Sequence, residues 1–315
     1  MPIHLSTQFL LTDVNGDKDS IQVIDKTNCV YRGISQTTRR NEFNKVDFAM
    51  FVHMNFVMRK TRSLMLRVFG WIENNNNIDF ASNGEEYFID AVNVYLTDLR
   101  NVKIEIFDIG ANKGEYSKIL LDKLSKYAIE ARIHIFEPTA SCFELLSNQY
   151  SSMPSFVLNQ TAVSNENGSA QIYYDQQESV LASLHQRNLS ALGLSLDCSE
   201  TVQTVRLDTY IEAQGINHIQ LLKIDIEGHE LAAFGGMGRF LSGDFIDFVQ
   251  FEYGGANLDS RTSLMELYAL FEARGFVVGK IMPTGIELRS YQPWMENFQY
   301  ANYVAVSKNT LKVLL

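Results

Sequence analysis

Three short stretches of this chain gather side chains that can do chemistry, each where an apolar run gives way to glycine or polar residues. The first is Phe107-Asp-Ile-Gly110-Ala-Asn112-Lys-Gly114-Glu-Tyr116. Glycines at a strand-to-helix turn let the backbone come close to a ligand, and the free amides of the helix start attract polar or anionic groups. The spacing is Gly-x-x-x-Gly, not the Gly-x-Gly-x-x-Gly of dinucleotide binding, and an acid at the strand end, Asp108, suits an ammonium better than a pyrophosphate. The second stretch is Phe136-Glu137-Pro138, where a carboxylate just past the next strand can accept from both hydroxyls of a ribose. Each motif alone is weak. In consecutive strand–helix units they point together to an adenosyl cofactor with an aminoacyl group, contacted by Asp108, Gly110, Asn112, Gly114 and Glu137.

The third stretch is Leu222-Lys223-Ile-Asp225-Ile-Glu227-Gly-His229-Glu230. Open parallel sheets bind ligands beyond the carboxyl ends of their strands, so Asp225, Glu227 and His229 lie where a reacting hydroxyl would be presented. Asp225 and Glu227 share a side if the strand stays extended, and His229 joins them only after the turn. An attacking alcohol needs a base, and any of the three serves if burial tunes its pKa; His229 starts nearest neutrality. The competing reading makes His229 a hydrogen-bonded structural residue, Glu230 a helix-start charge and Lys223 a strand residue or ion-pair partner. Asp225 and Glu227, with Glu252, also offer hard oxygens for a divalent metal such as magnesium or calcium. Metal-free chemistry ranks above this, because no spacing specifies a metal and paired acids bind hydroxyls equally well. Glu252 and Tyr253 end another apolar run and are candidate acceptor-binding residues. Residues 179–185 with Arg187 read, as a bare sequence, simply as a polar-apolar loop. Glu85 and Glu86 read as a cofactor cover or as helix-start charges.

Positioning these residues takes alternating strands and helices. Strands are expected at 104–109, 132–137, 156–163, 221–226 and 245–253, several nearly continuously apolar as in a sheet covered on both faces. Helices are expected at 115–127, 140–149, 230–241 and 263–274, with a hairpin through Ser164-Asn-Glu-Asn-Gly168 into 170–174. Two further strands fall at 276–282 and 302–307. A length of 315 residues, with 46% hydrophobic and 20% charged, suits a globular α/β protein and excludes disorder or a fibrous architecture. An excess of 37 acidic over 27 basic residues, net −10, argues against a surface that coats nucleic acid. Cys29, Cys142 and Cys198 lack metal-ligand spacing and read as buried thiols of a reducing compartment. The first ten residues lack a secretory pattern, making the cytoplasm the default. The early apolar stretch 48–58, interrupted by His53 and Asn55, is too short to span a bilayer. The four asparagines at 74–77 form a polar break, dividing the chain into an extension, 1–77, and a domain, 78–315. Before the break, 48–58 and 63–72 flank Arg59, Lys60 and Arg62. They read as a packed extension or homo-oligomer contact, against an interfacial segment meeting a lipid-linked substrate.

Over residues 83–307 the chain resembles the FkbM family of S-adenosylmethionine-dependent methyltransferases. The carriers are the 108–114 loop, Phe136-Glu-Pro138, Thr161-Ala-Val-Ser164, Val205-Arg-Leu-Asp208, Leu222 to Glu230, and Gln250-Phe-Glu-Tyr-Gly254. Asn112 stands where commoner methyltransferase loops carry glycine, which agrees with the FkbM pattern. The resemblance implies a class I methyltransferase, Rossmann-like mixed sheet with helices on both faces, a final antiparallel strand inserting into a parallel array. It also implies S-adenosylmethionine as cofactor, Ala162 among its contacts, a closing loop formed by residues 179–185 with Arg187, and O-methylation of a glycosyl or small natural-product acceptor. The alternatives are a noncatalytic adenosyl-ligand-binding or assembly protein and, against the loop spacing and Asp108, a nicotinamide-dependent oxidoreductase. The resemblance does not extend to residues 1–77.

Overall fold

The structure, a computed structural model, describes residues 56–99 and 102–314; Cys29, the first residues and most of 48–58 lie outside them. Helix α1 (Phe56–Ile72) and α2 (Glu85–Thr97) precede an alternating series: β1 (Ile104–Ile109), α3 (Glu115–Lys126), β2 (Ala131–Phe136), α4 (Ala140–Tyr150) and β3 (Phe156–Asn159). Next come β4 (Ala162–Val163), β5 (Gly168–Tyr174), β6 (Cys198–Val205), α5 (Leu207–Gln214), β7 (Ile219–Ile224), α6 (Glu230–Gly235) and β8 (Ile246–Tyr253). The last elements are α7 (Ala256–Ser260), α8 (Leu264–Ala273), β9 (Phe276–Met282), β10 (Gly285–Leu288), β11 (Ala301–Ser307) and α9 (Lys308–Leu314). Arg62–Leu315 make up one compact unit.

Eight strands form the main sheet in the order β10-β9-β11-β8-β7-β1-β2-β3. From β8 to β3 neighbours run parallel. β11 lies antiparallel to both β8 and β9. This is the class I methyltransferase order with its late antiparallel strand inserted. Every residue of β1 and β7 is buried, because successive strand side chains point to opposite faces and both faces are covered. Phe107, Leu222 and Val249 meet α5, α6 and α8 through Ile211, Phe234 and Phe271. Their neighbours Ile106, Leu221 and Phe248 meet α2, α3 and α4 through Ile89, Leu120 and Leu146.

Several local expectations change. The run 156–163 is not one strand: after β3 pairs with β2, the chain leaves the sheet and β4 joins a separate sheet of order β4-β6-β5. The hairpin through 164–168 does not form, since β4 and β5 both pair with β6. That middle strand carries one buried residue, Val202, among polar neighbours, too little apolar alternation to announce itself. The strand expected at 221–226 stops at Ile224, and the helix expected at 230–241 ends at Gly235, followed by a 3-10 turn at Gly238–Phe240. Cys142 is buried but Cys198 is exposed. The asparagines at 74–77 form a hydrogen-bonded joint. Asn74 donates to the carbonyls of Asn83 (2.7 Å) and Ile281 (3.2 Å). Asn75 donates to Gln299 (3.0 Å) and accepts from Lys280, while the Asn76 amide donates to Tyr300 O (2.8 Å). Asn74 and Asn76 hold φ of 53° and 57°, a region asparagine tolerates better than most residues.

Candidate active site

A cavity opens beyond the carboxyl ends of β1, β2 and β7. Its floor is the turn after β1, stapled on both sides: the Gly110 and Ala111 amides donate to Phe136 O (2.9 and 3.2 Å), and the Asp225 amide donates to Ile109 O (3.0 Å). Gly110 has φ +80°, and a Cβ there would fall 1.9 Å from the Asp225 carbonyl oxygen. The approach of the turn after β7 thus by itself demands glycine here, and Gly110 also borders the cavity. Gly114 (φ +84°) caps α3, where a Cβ would meet Leu146 at 2.7 Å. Asn112 (φ 48°) turns its amide to Glu137 Oε2 (2.9 Å) and its side-chain nitrogen to Ser179 O (2.7 Å). Glu137 borders the cavity and also accepts from the Thr139 amide (2.9 Å) and hydroxyl (2.6 Å); burial raises its pKa against the pull of these donors. Ala162 borders the same cavity.

Asp108 does not reach it. Fully buried, it accepts from Ser117 (2.6 Å) and faces Lys223 Nζ at 3.6 Å, so it supports the turn from beneath. The Lys223 ammonium also lies 3.4 Å from Asp225 Oδ2 and 3.4 Å from Gly110 O. Burial works against its charge, but Asp225, Asp108, Glu85 and Glu252 outweigh burial and raise its pKa. Lys223 therefore supplies a fixed cation to the cavity wall. Opposite charge comes from Glu85, which borders the cavity, accepts from Gln250 and Asn83 (both 2.6 Å), and is pushed by burial to about 7. Its neighbour Glu86 instead faces Lys123 (3.5 Å) on the surface.

Asp225, Glu227 and Glu252 each bring a carboxylate oxygen within 4.8 Å of the others. Strand alternation does not do this, since the strand has ended; the turn does, with Glu227 at φ 53° and Gly228 at φ +95°. Burial, then Asp225, raises the Glu227 pKa against the adjacent Arg187. Glu252 is raised by burial and then by Asp225, Glu227 and Glu230. Glu230 does more than charge a helix start: its Oε1 accepts from the Ile226 (3.0 Å) and Gly228 (3.2 Å) amides and holds the turn, and burial takes it to about 7. His229 borders the cavity with both ring nitrogens engaged, Nε2 with Ser164 Oγ (3.0 Å) and Nδ1 with His185 Nε2 (3.2 Å). Burial and then His185 lower it to about 4, so it is neutral at pH 7. Tyr253 faces away: 1% exposed, it donates to Glu296 (2.6 Å) and packs on Phe298. It cannot stack on an acceptor, because alternation along β8 sends Glu252 toward the acids and Tyr253 to the opposite face.

Ser179, Val180, Ala182 and Leu184 roof the cavity. Ser183 donates to Glu227 O (2.8 Å), and Arg187 pairs with Glu227 and with Asp259 (3.4 Å). The expected closing loop thus ties the turn after β1 to the turn after β7. Phe80 and Tyr300 also border the cavity; neither sits in a motif, and only the chain path brings them there.

A mainly parallel sheet with β11 inserted antiparallel and β10 added antiparallel at its edge, and a cavity across its strand ends bordered by an acid after β2, defines a class I methyltransferase fold. The family description "Methyltransferase FkbM domain" matches residues 108–278, and the chain belongs to that family. It is 24% identical over 183 residues to the hexuronic acid methyltransferase AglP of Haloferax volcanii, covering 56% of this chain and 70% of that protein. Among solved structures, methyltransferase FkbM from Methylobacillus flagellatus KT matches at 15% identity and a TM-score of 0.38 over 64% of this chain; the match spans 43% of that chain. Fibrillarin from Aeropyrum pernix, in complex with S-adenosyl-L-methionine, matches at 10% identity and a TM-score of 0.36, covering 69% and 76%.

Proposed function

We propose that this methyltransferase moves a methyl group from S-adenosylmethionine to a hydroxyl of a glycosyl acceptor. The observation that carries the reading is that Glu137, residues 110–113 of the turn after β1, Asp225 and Glu227 all border one cavity, while Gly114 faces Leu146 and Tyr150 instead. The cavity suits the cofactor chemically. Glu137 Oε2 accepts one protein bond, which leaves capacity for a ribose hydroxyl. Lys223 matches a carboxylate, Glu85 matches an ammonium, and Phe136, Ala162, Ile172 and Leu184 offer apolar walls. When bound, S-adenosylmethionine supplies an electrophilic methyl group on a sulfonium.

The chain's own part is alignment and one proton. Holding the acceptor oxygen in line with the methyl carbon removes most of the entropic barrier. Asp225, its Oδ2 beside Lys223, takes the hydroxyl proton as base. Glu227 and Glu252, with raised pKa values, orient the acceptor's other hydroxyls. His229, bonded at both nitrogens, positions the turn and the roof. Arg187 pairs with Glu227 and Lys223 with Asp225, which favours metal-free chemistry over a divalent cation. Residues 78–315 form the catalytic domain in this reading, and 1–77 an extension. The hexuronic acid methyltransferase relative supports a glycan acceptor, as do acids suited to binding hydroxyls.

The test is a panel of glycan intermediates, small phenols, peptides and nucleic acids with isotopically labelled S-adenosylmethionine. Oxygen methylation of a glycosyl acceptor should be fastest. Preferred methylation of nucleic acid or a peptide nitrogen would overturn the assignment, and a nonsugar alcohol would reject only the glycan. Tight cofactor binding without transfer to any acceptor would favour a noncatalytic role.

A further inference from the structure

We infer that α1 docks on an anionic lipid surface, lying in the plane of the interface. At 3.6 residues per turn, Leu64, Met65, Val68, Trp71 and Ile72 share one side of this helix, with Lys60 and Arg67 along one border of it and Arg62 beyond the other. None of its residues is buried. Trp71 is 83% exposed, Ile72 57% and Met65 56%, and Ile78, shortly beyond the helix, is 77% exposed. Contiguous apolar surface of this kind marks a binding face. Charge selects the partner. Four cations and no acid occupy 17 residues of a chain whose net charge is −10, the composition of a helix that sinks an apolar face below anionic headgroups. Among the described residues no helix is long and apolar enough to cross a membrane.

The helix is also held so that its apolar side stays outward. Phe69 packs edge-on to Trp294 at 5.8 Å, and Glu73, one residue past the helix, pairs with Arg289 at 2.8 Å. The asparagine joint then fastens the chain beside the cavity, since the Asn76 amide bonds to Tyr300 O and Tyr300 is a cavity residue. A docked helix therefore keeps the cavity wall close to the lipid surface. This inference stands on α1 alone and holds whatever the acceptor proves to be.

The full chain should co-sediment with vesicles of phosphatidylcholine mixed with phosphatidylglycerol, and much less with phosphatidylcholine alone. In Trp294→Phe, where Trp71 is the remaining tryptophan, fluorescence should shift to the blue on binding and be quenched by brominated acyl chains. Met65→Glu with Trp71→Glu should lower vesicle affinity at least about tenfold without changing the unfolding temperature, because both sites are exposed. Arg62→Gln with Arg67→Gln should lower it about tenfold or more, and added salt should weaken wild-type binding. The inference is overturned by a lack of binding to anionic vesicles, by equal binding to both vesicle types, or by binding that survives the glutamates. It is equally overturned if the glutamates convert a dimer to a monomer without vesicles, since a second copy would then own the face.

Discussion

Replacing Glu137 by glutamine exchanges one oxygen for a nitrogen, and removes a charge, where the turn after β1 meets the end of β2. The amide oxygen can keep both bonds that Oε1 accepts from Thr139. The new NH2 group then replaces Oε2 and confronts the Asn112 amide, two donors facing each other in a buried place. A hydrogen bond to a charged group is worth about 1.5–3 kcal/mol, and a buried donor left unpaired costs about 1–3 kcal/mol. Burial already disfavours the Glu137 charge, which offsets part of the loss, so the net destabilisation should be about 1–3 kcal/mol. Bound cofactor loses in addition its charged ribose acceptor. At about 1.5–3 kcal/mol, that weakens binding about 10- to 150-fold. Calorimetric titration with S-adenosylhomocysteine, which cannot donate a methyl group, measures this, with thermal unfolding run alongside. Thr139→Ala is the control: it removes one donor to Glu137 but keeps the carboxylate, so it should cost stability while changing affinity little. A folded Glu137→Gln protein binding within about twofold of wild type would refute the assigned role.

Asp225→Asn should slow single-turnover methyl transfer at least about a hundredfold at saturating cofactor, with a smaller effect on cofactor affinity. Glu227→Gln should act in the same direction but less strongly; unchanged rates in both would remove these acids from the mechanism, and loss on chelation restored by magnesium would favour a metal. Gly110→Ala should destabilise by about 3 kcal/mol or more, since a left-handed alanine costs about 1–2 kcal/mol and the 1.9 Å approach to Asp225 O forces the two turns apart; an unfolding free energy close to wild type would contradict the packing described. Glu85, raised by burial to about 7, gives stability that is full below its unfolded value near 4.5 and lost as pH rises through 7. Glu85→Gln mimics the protonated acid and does not titrate. Its destabilisation relative to wild type should therefore be larger at pH 5 than at pH 8, by about 3 kcal/mol, and an equal or reversed difference in urea unfolding would refute the sign.

Much of the main sheet is legible in the amino-acid order. Strands such as β1, β7 and β8 are dense apolar runs because both their faces are covered, and α3 and α8 show helical periodicity with clear ends; Ser263 and Glu266 even form a capping box. The small sheet is not legible. β6 is polar along most of its length, and its place between β4 and β5 depends on pairings that no short window records. Strand periodicity also put Asp225 and Glu227 together for the wrong reason, since they meet through a left-handed turn.

The chain's own order determined the family, the alternation of strands and helices, and the candidate residues at 108–114, 137 and 225–230, because these signals are local: glycine where φ is positive, acids at strand ends, apolar runs between them. Tertiary structure alone decided what each residue faces. It buried Asp108 beneath the turn, turned Tyr253 away from the cavity, occupied both nitrogens of His229, and brought Glu85, Glu252, Arg187 and Tyr300 from distant parts of the chain to the acids after β7. The physical reason is that a side chain's direction depends on which strand lies beside its own and where that strand stops, and its pKa depends on how many charges share its burial. Both are properties of the packed sheet, not of the neighbours along the chain.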